Sequence, residues 1–466
     1  MKLNELIQTD LNIEINKIKT NSKNIEKGDV FVCIKGANFD RHDFIEEAIE
    51  NGASIAIVSK DVDVSIPTIK VLDPDKTLIE MLERYYDYPQ NKLKLIGITG
   101  TDGKTTTCKI IQQLLGEHLC GYIGTMGASC KDYFLKTSNT TPAAEIMYQI
   151  LAEFVKRGMK YVAMETSSEA FFYHRLDSFY FNIGGLTNIT SDHLNTHKTL
   201  QNYIDCKKEL FINSDIQILN HQDKHYKEVS TVSKNSFVYG YMENDDLFIK
   251  DYYLKANGTD ITYQYKEKEY LVKSSLLGKF NVENLSLALL SCLKLGFNFD
   301  DLILRCKDLS IPGRMQVVDL GQKYHVVIDY AHTVNAVDTV LDFANTLDVN
   351  KIITVTGQAG GRDHSKRKFI GKSCLDKSDL VILTTDDPRF ENVDDIISDI
   401  LELSNKTNYE IIKDRPKAIQ HACNIAKEND LILLLGKGSD KYQAIEDRRE
   451  YYFEEEEAIK AIKMTL

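Results

Sequence analysis

The segment Gly97 to Thr107, G-I-T-G-T-D-G-K-T-T-T, carries residue types that hold phosphate. Glycines let backbone N–H groups approach an anion, and the N-terminus of a following helix adds a positive dipole. Gly100, Thr101, Asp102 and Gly103 form the turn, and Thr106 follows it into the helix. Lys104 is placed to reach terminal phosphates and Thr105 to ligate Mg2+. Phosphate loops commonly place a glycine five residues before the glycine of the final Gly-Lys pair. Ile98 holds that position here, and glycines fall at 97, 100 and 103 instead, so the loop is a variant. A glycine turn with a chance Lys-Thr is the bland alternative. The apolar strand that enters and the helical pattern that leaves both speak against it.

Two further residues have metal-binding chemistry. Glu165 ends an apolar run in M-E-T-S-S, and His193 lies in S-D-H-L. Both stand near strand ends, where Mg-ATP would sit in an open α/β sheet. A strand-end glutamate alone is more often structural. His193 and His197 also have a zinc-like spacing, but no further ligands lie at zinc-site distances. With the phosphate loop nearby, Mg2+ roles are the preferred reading.

These residues need elements to hold them. LKLIGIT (93–99) reads as the strand that feeds the loop, and Cys108, Ile111, Leu114 and Leu115 repeat at helical spacing after it. Further strands are expected at 29–36, 54–60, 161–165, 183–189 and 216–220. The alternation in 261–272 predicts an antiparallel hairpin. After Pro312-Gly313, apolar strands at 325–330, 351–357, 379–385 and 431–436 alternate with helical patterns, which implies an open, mostly parallel sheet. Polar and glycine residues crowd the ends of these strands, where ligands bind. Tyr85 to Gln90 reads as a linker, and the run Glu454 to Glu457 as a solvated face.

Composition narrows the function. The chain has 466 residues, which suggests several domains. Its net charge of -12 argues against nucleic-acid and anionic-membrane partners. No segment approaches the ~18 apolar residues needed to span a bilayer. The first residues lack the apolar core of a signal peptide. Nine scattered cysteines, with no C-x-x-C spacing, suit reduced thiols in a cytoplasm, and Cys33, Cys206 and Cys292 read as small core residues.

Several motifs recur in one order along nearly the whole chain. They are GTDGKTTT, NTTP (139–142), METSSEAFFYHR (164–175), TNITSDHLNTHKTLQNYIDCKKELF (187–211), GKFNVEN (278–284), PGR (312–314), DYAHT (329–333), GGRDHSKR (360–367), DDPR (386–389) and GKG (436–438). In this set the sequence resembles the Mur ligase family. The resemblance implies an α/β protein of three domains. Residues 1–90 would bind a UDP-sugar, and residues 91–311 would bind ATP on a parallel sheet with an antiparallel annex. Residues 312–466 would bind the incoming amino acid on a Rossmann-like, mostly parallel sheet.

It further implies a monomer that uses ATP and Mg2+ to activate a carboxylate as an acyl phosphate, which an amine then attacks. The implied substrates are UDP-N-acetylmuramoyl-L-alanyl-D-glutamate and a diamino acid. Lys104, Glu165, His193 and Lys207 match catalytic positions, and Lys207 matches a lysine carried as a CO2-derived carbamate that ligates Mg2+. Without the resemblance Lys207 would read as a solvated helix lysine. Asn281, Arg314, Asp329 and His332 match nucleotide positions. Ser22, Asn139, Thr140, Thr141, Ser167 and Arg175 match positions around the UDP-sugar peptide. Arg362, Asp386, Asp387, Pro388, Arg389, Gly436 and Asp440 match positions around the amino acid.

The sequence departs from the pattern in places. Asn21-Ser22-Lys23 stands for Asp-Ser-Arg, and Tyr173 for a glutamine. Asp387 replaces asparagine, and Ser439-Asp440 replaces His-Glu. Arg389 stands where diaminopimelate-adding enzymes carry arginine, so meso-diaminopimelate is expected, with L-lysine as the alternative. Another Mur-type ligase, such as a folylpolyglutamate-like enzyme, and a nucleotide-binding regulator without catalysis are the remaining readings.

Overall fold

A computed structural model describes residues 1–36, 39–190 and 194–466. The chain forms two compact units, Met1–Tyr239 with Leu287–Gly296 and Gly240–Ser286 with Phe297–Leu466. Among the described residues no helix is long and apolar enough to cross a membrane.

The first unit begins with a 4-stranded parallel sheet of Ile18–Lys19, Val30–Val32, Ile55–Val58 and Thr68–Lys70. Val30 to Val32 and Ile55 to Val58 are buried at every position, as expected of parallel strands covered on both faces. The expected linker is not one. The helix Pro74–Tyr85 runs into it, and Pro89 and Gln90 are buried in a single turn of 3-10 helix, Pro89–Lys92. Gln90 donates to Glu83 (2.8 Å), and Leu82 and Leu93 join one hydrophobic cluster with Leu95 and Tyr148.

The unit's larger sheet has the order Ser236–Gly240, Ser214–Asn220, Phe181–Leu186, Lys94–Thr99, Tyr161–Glu165, Cys120–Gly124, Gly127–Cys130, Tyr133–Leu135. The pairings are parallel as far as Cys120–Gly124 and antiparallel beyond it. Lys94–Thr99 lies centrally, flanked by the strands that end at Glu165 and Leu186. Cys108, Ile111, Leu114 and Leu115, on the helix Lys104–Leu115, are all buried.

In the second unit Leu247–Lys255, Gly258–Tyr265 and Lys268–Ser274 pair antiparallel, the last two as the expected hairpin. A 6-stranded sheet follows in the order Gln316–Val317, His325–Asp329, Leu431–Leu435, Ile352–Thr356, Leu380–Leu383, Tyr409–Ile411. Only its first pairing is antiparallel. The mostly parallel sheet read from the sequence is therefore present. A hairpin of Tyr442–Ile445 and Arg448–Tyr451 follows the strand Leu431–Leu435.

Two further sequence expectations fail here. Glu454 is not on a solvated face: it is 0% exposed and ion-paired with Arg415, whose side chain is equally inaccessible. Cys206 is only partly buried, whereas Cys33 and Cys292 are core residues. None of the nine cysteines is in a disulfide.

Candidate active site

The strand Lys94–Thr99 delivers the chain into Gly100 (φ 150°), and Gly103 (φ 82°) caps the helix Lys104–Leu115. The first N–H groups of a helix have no partner within it, so this turn presents donors to an anion. Neighbouring strand ends press the loop into shape. Thr101 N donates to Asn188 O (2.7 Å), Asp102 N to Asn188 Oδ1 (3.0 Å), and Thr187 Oγ1 to Asp102 O (2.6 Å). A Cβ on Gly100 would lie 1.8 Å from Thr187 Oγ1, so no other residue fits there. Lys104 Nζ donates to the carbonyls of Gly100 (2.9 Å) and Thr101 (2.8 Å). Lys207, 1% exposed, donates to the same Gly100 carbonyl (2.8 Å) and lies 4.3 Å from the Tyr203 ring centroid. The structure thus joins Lys207 to the phosphate loop. Its buried setting is not that of a solvated helix lysine.

Glu165 is 0% exposed at the end of its strand. Its Oε1 accepts from Tyr122 OH (2.5 Å) and Thr125 N (3.0 Å). Its Oε2 accepts from Thr105 Oγ1 (2.9 Å) and Thr125 Oγ1 (3.1 Å). One carboxylate oxygen and two hydroxyls therefore converge at the mouth of the phosphate loop. This is a hard-oxygen set, suited to Mg2+ rather than to zinc. His193 lies outside the described residues. His197 is a buried core histidine: Nε2 contacts Ser168 Oγ (2.9 Å), and the rings of Phe172 and Tyr203 meet its edges. Among the described residues no group of three or more His, Cys, Asp or Glu could hold a metal.

The UDP-sugar positions divide into two places. Thr141 is buried. Its hydroxyl donates to Glu165 O (2.8 Å) and accepts from Ser167 N (3.0 Å), and its carbonyl accepts from Arg175 Nη1 (3.1 Å). Ser167 caps a short helix by accepting from Ala170 N (3.2 Å). Thr140 Oγ1 contacts Thr125 Oγ1 (3.0 Å), and Asn139 is exposed beside it. Arg175 lies 5.4 Å from the Tyr173 ring centroid, and burial lowers its pKa. Thr140, Thr141, Ser167 and Arg175 thus form one chain of contacts that reaches Glu165. Ser22 opens a short 3-10 helix, Ser22–Asn24, between the first two strands of the N-terminal sheet, and its hydroxyl donates to Glu47 Oε2 (2.5 Å).

In the second unit, Asp329 ends the strand His325–Asp329 and is buried. Its oxygens accept from Met315 N (2.7 Å) and Ala331 N (2.8 Å), which ties the PGR turn to the DYAHT turn. Burial raises its pKa despite these donors. Arg314 is exposed, with its guanidinium 5.2 Å from the Tyr330 ring centroid. His332 is exposed, and its Nδ1 contacts Tyr330 O (2.8 Å). Asn281 is buried. It donates to Leu277 O (2.8 Å) and accepts from Asn284 Nδ2 (3.1 Å).

The amino-acid positions gather at the ends of the strands Ile352–Thr356, Leu380–Leu383 and Leu431–Leu435. Asp386 and Asp387 are buried, and burial pushes Asp386 up to about 6. Asp387 Oδ1 accepts from Lys437 Nζ (2.7 Å) and Ala444 N (3.0 Å). Lys437 is the middle residue of GKG, and the sequence gives no sign of this role for it. Its ammonium also lies 3.7 Å from Asp386. Pro388 is buried. Arg389 is left-handed (φ 51°). Its N–H donates to Ala444 O (3.0 Å), and its carbonyl accepts from Glu446 N (2.8 Å). The post-GKG hairpin thereby holds the DDPR segment through a single parallel bridge between Arg389 and Ile445. The Arg389 side chain is half-buried, while Arg362 is exposed. Gly436 (φ 111°) packs against Asp386, and a Cβ there would lie 2.8 Å from its Oδ2. Asp440 N donates to Lys437 O (3.0 Å).

Known proteins resemble the chain throughout. The Mur ligase family, catalytic domain, matches residues 14–86, the Mur ligase middle domain residues 98–292, and the Mur ligase, glutamate ligase domain, residues 313–438. A UDP-N-acetylmuramoyl-L-alanyl-D-glutamate--2,6-diaminopimelate ligase of Clostridium tetani is 35% identical, with 99% of each chain covered. The ligase of the same name from Aquifex aeolicus is 37% identical, covering 98% of this chain and 96% of its own. A solved structure of a ligase of that name superposes with a TM-score of 0.75 at 28% identity, covering 100% of this chain and 99% of its own.

Proposed function

This chain belongs to the Mur ligase family, and on that premise we propose that it joins 2,6-diaminopimelate to UDP-N-acetylmuramoyl-L-alanyl-D-glutamate in peptidoglycan synthesis. It is an ATP-dependent acid–amino-acid ligase. The observation that carries the substrate assignment is the identity, over the whole chain, with ligases named for that reaction.

The chemistry follows from the substrates. A carboxylate is a poor electrophile, so its oxygen first takes the γ-phosphoryl group of ATP, releasing ADP. The amine of the diamino acid attacks the resulting acyl phosphate, phosphate leaves with the bonding electrons, and the amine gives up a proton. Lys104 and the N–H groups of the phosphate loop stabilise the charge on the transferring group. Glu165 and Thr105 fit Mg2+ and would hold it, with His193 and a carbamylated Lys207 as further ligands. When bound, the ion neutralises phosphate charge and polarises the group under attack. A carbamate would turn the Lys207 ammonium, which now shares the Gly100 carbonyl with Lys104, into an anion suited to a metal.

The other roles follow the division into residues 1–90, 91–311 and 312–466. Ser22, Asn139, Thr140, Thr141, Ser167 and Arg175 hold the UDP-sugar peptide, and Arg175 supplies its cation. Asn281, Arg314, Asp329 and His332 serve the nucleotide, with the phosphate loop. Arg362, Asp386, Asp387, Pro388, Arg389, Gly436 and Asp440 form the amino-acid site. The enzyme acts as a cytoplasmic monomer.

Diaminopimelate differs from L-lysine by a distal carboxylate, which Arg389 pairs with as a planar fork. Asp387 raises the case for lysine, because an anion beside Arg389 would cancel it. The bonds of Asp387 to Lys437 and Ala444 answer that case: its charge already has a partner. The test is a panel of amino acids offered with the UDP-substrate and ATP, with phosphate release measured. Diaminopimelate is the preferred amine, and Arg389→Ala loses that activity far more than any lysine activity. Efficient lysine addition with diaminopimelate refused overturns the assignment.

A further inference from the structure

Tyr122 lies in the strand Cys120–Gly124 and is fully buried beneath Glu165. Its phenol oxygen accepts from Met126 N (3.2 Å) and donates to Glu165 Oε1 (2.5 Å). The direction follows from the backbone N–H, which can only donate, so the phenol O–H is left to donate to the carboxylate. Lys109 Nζ lies 4.1 Å from the centroid of the same ring and donates to Gln112 Oε1 (3.0 Å) and Ser129 Oγ (3.1 Å). The ring is thereby held in one orientation.

We propose that Tyr122 is the positioning residue for Glu165 and sets how tightly the site takes Mg2+, an inference that rests on the ligase reading above. With Tyr122 and the Thr125 N–H, both donors on Oε1 come from the strand Cys120–Gly124 and the turn after it. Oε2 is then the oxygen aimed at the Thr105 and Thr125 hydroxyls. The carboxylate and the phenol pack closely against the backbone of Gly124, where no side chain would fit. A Cβ at Gly124 would stand 2.1 Å from Oε1 and 2.4 Å from the phenol oxygen. Groups that orient a metal ligand from behind commonly govern metal affinity by about 10- to 100-fold.

The test is Tyr122→Phe, which removes one oxygen and keeps the ring under Lys109. ADP binding is followed by calorimetry across a Mg2+ titration, with no other substrate present, and thermal unfolding is recorded alongside. The Mg2+ concentration at half-saturation should rise by about 10-fold, at the low end of that range. ADP affinity at saturating Mg2+ should stay close to wild type. A purely structural role would lower the unfolding temperature and leave the Mg2+ midpoint in place. A folded variant with an unmoved midpoint overturns the proposal while leaving the ligase reading intact. Wild-type protein that binds ADP without any dependence on Mg2+ overturns this proposal together with the Mg2+ role given to Glu165.

Discussion

Replacing Glu454 with alanine should destabilise the second unit by about 3–5 kcal/mol, the usual cost of removing one partner from a buried ion pair. Its carboxylate accepts from Arg415 Nε (2.9 Å), Arg415 Nη2 (2.5 Å) and Tyr452 OH, and neither charged side chain reaches solvent. Burial works against the Arg415 charge, and Glu454 more than offsets it. With alanine in place, the guanidinium keeps its bond to Leu435 O (2.9 Å) but has no counter-ion in contact. A loss of that size is a large fraction of the roughly 5–15 kcal/mol that holds a typical domain together. The chain has no tryptophan, so circular dichroism during urea unfolding is the suitable signal. Hydrogen exchange at the Leu431–Leu435 strand locates the loss. The double variant Arg415→Met with Glu454→Met should recover most of the stability, because an apolar pair of similar volume is often as good as a buried ion pair. An alanine variant within about 1 kcal/mol of wild type, or a double variant no better than the single one, refutes the reasoning.

Lys104→Ala should cut phosphate release by about 100-fold or more, the scale of losing one donor to developing charge, with unchanged circular dichroism; near-normal turnover removes the ATP assignment. Lys207→Ala should be inactive and partly rescued by added short carboxylates, while intact-protein mass spectrometry of the wild type detects bound carbon dioxide. An active alanine variant without added acid contradicts this role. Asp386 should titrate near 6, pushed up by burial. A raised folded-state pKa means that the folded state binds more protons than the unfolded one between about pH 4 and 6. Stability from this group is therefore lost as pH rises through that window, and a carbon NMR midpoint near 4 would contradict it.

The strand, glycine turn and helix around Gly100 to Lys104 were legible because they are contiguous in sequence. The buried parallel strands were legible for a similar reason, since each is a short apolar run. What escaped depends on partners far along the chain. Glu454 heads an acidic run that looks solvated, and its partner lies 39 residues earlier. Lys207 and Lys208 are identical as types. One is buried against Gly100, and the other reaches Asp205 and Glu228 at the surface. Tyr122 lies on a strand interrupted by glycines at 121 and 124, which weakens any periodic signal. Those glycines leave room for the Phe154 ring and the Glu165 carboxylate. The hairpin Tyr442–Ile445 with Arg448–Tyr451 is polar and largely unburied, so no apolar alternation marks it.

The buried carboxylates at the strand ends share one physical problem. A charge out of water must be given donors, and each donor also fixes where the charge points. Glu165 Oε1 is held by Tyr122 and Thr125 N, and Asp387 Oδ1 by Lys437 and Ala444 N. Asp329 takes one backbone N–H on each oxygen. In the first two cases the bonds from these anchors converge on one oxygen, and the other is set in direction before any ligand arrives. In the third, the same bonds fasten two turns to each other. Donors that make burial tolerable thus also supply preorganisation, the property that lets fixed charges act on a reaction without rearranging during it. The DDPR segment shows the effect most fully. An aspartate at 387 looks, in sequence, like a charge that would cancel Arg389. Lys437 and the backbone of the hairpin engage that charge instead, and the same hairpin fixes the left-handed backbone of Arg389.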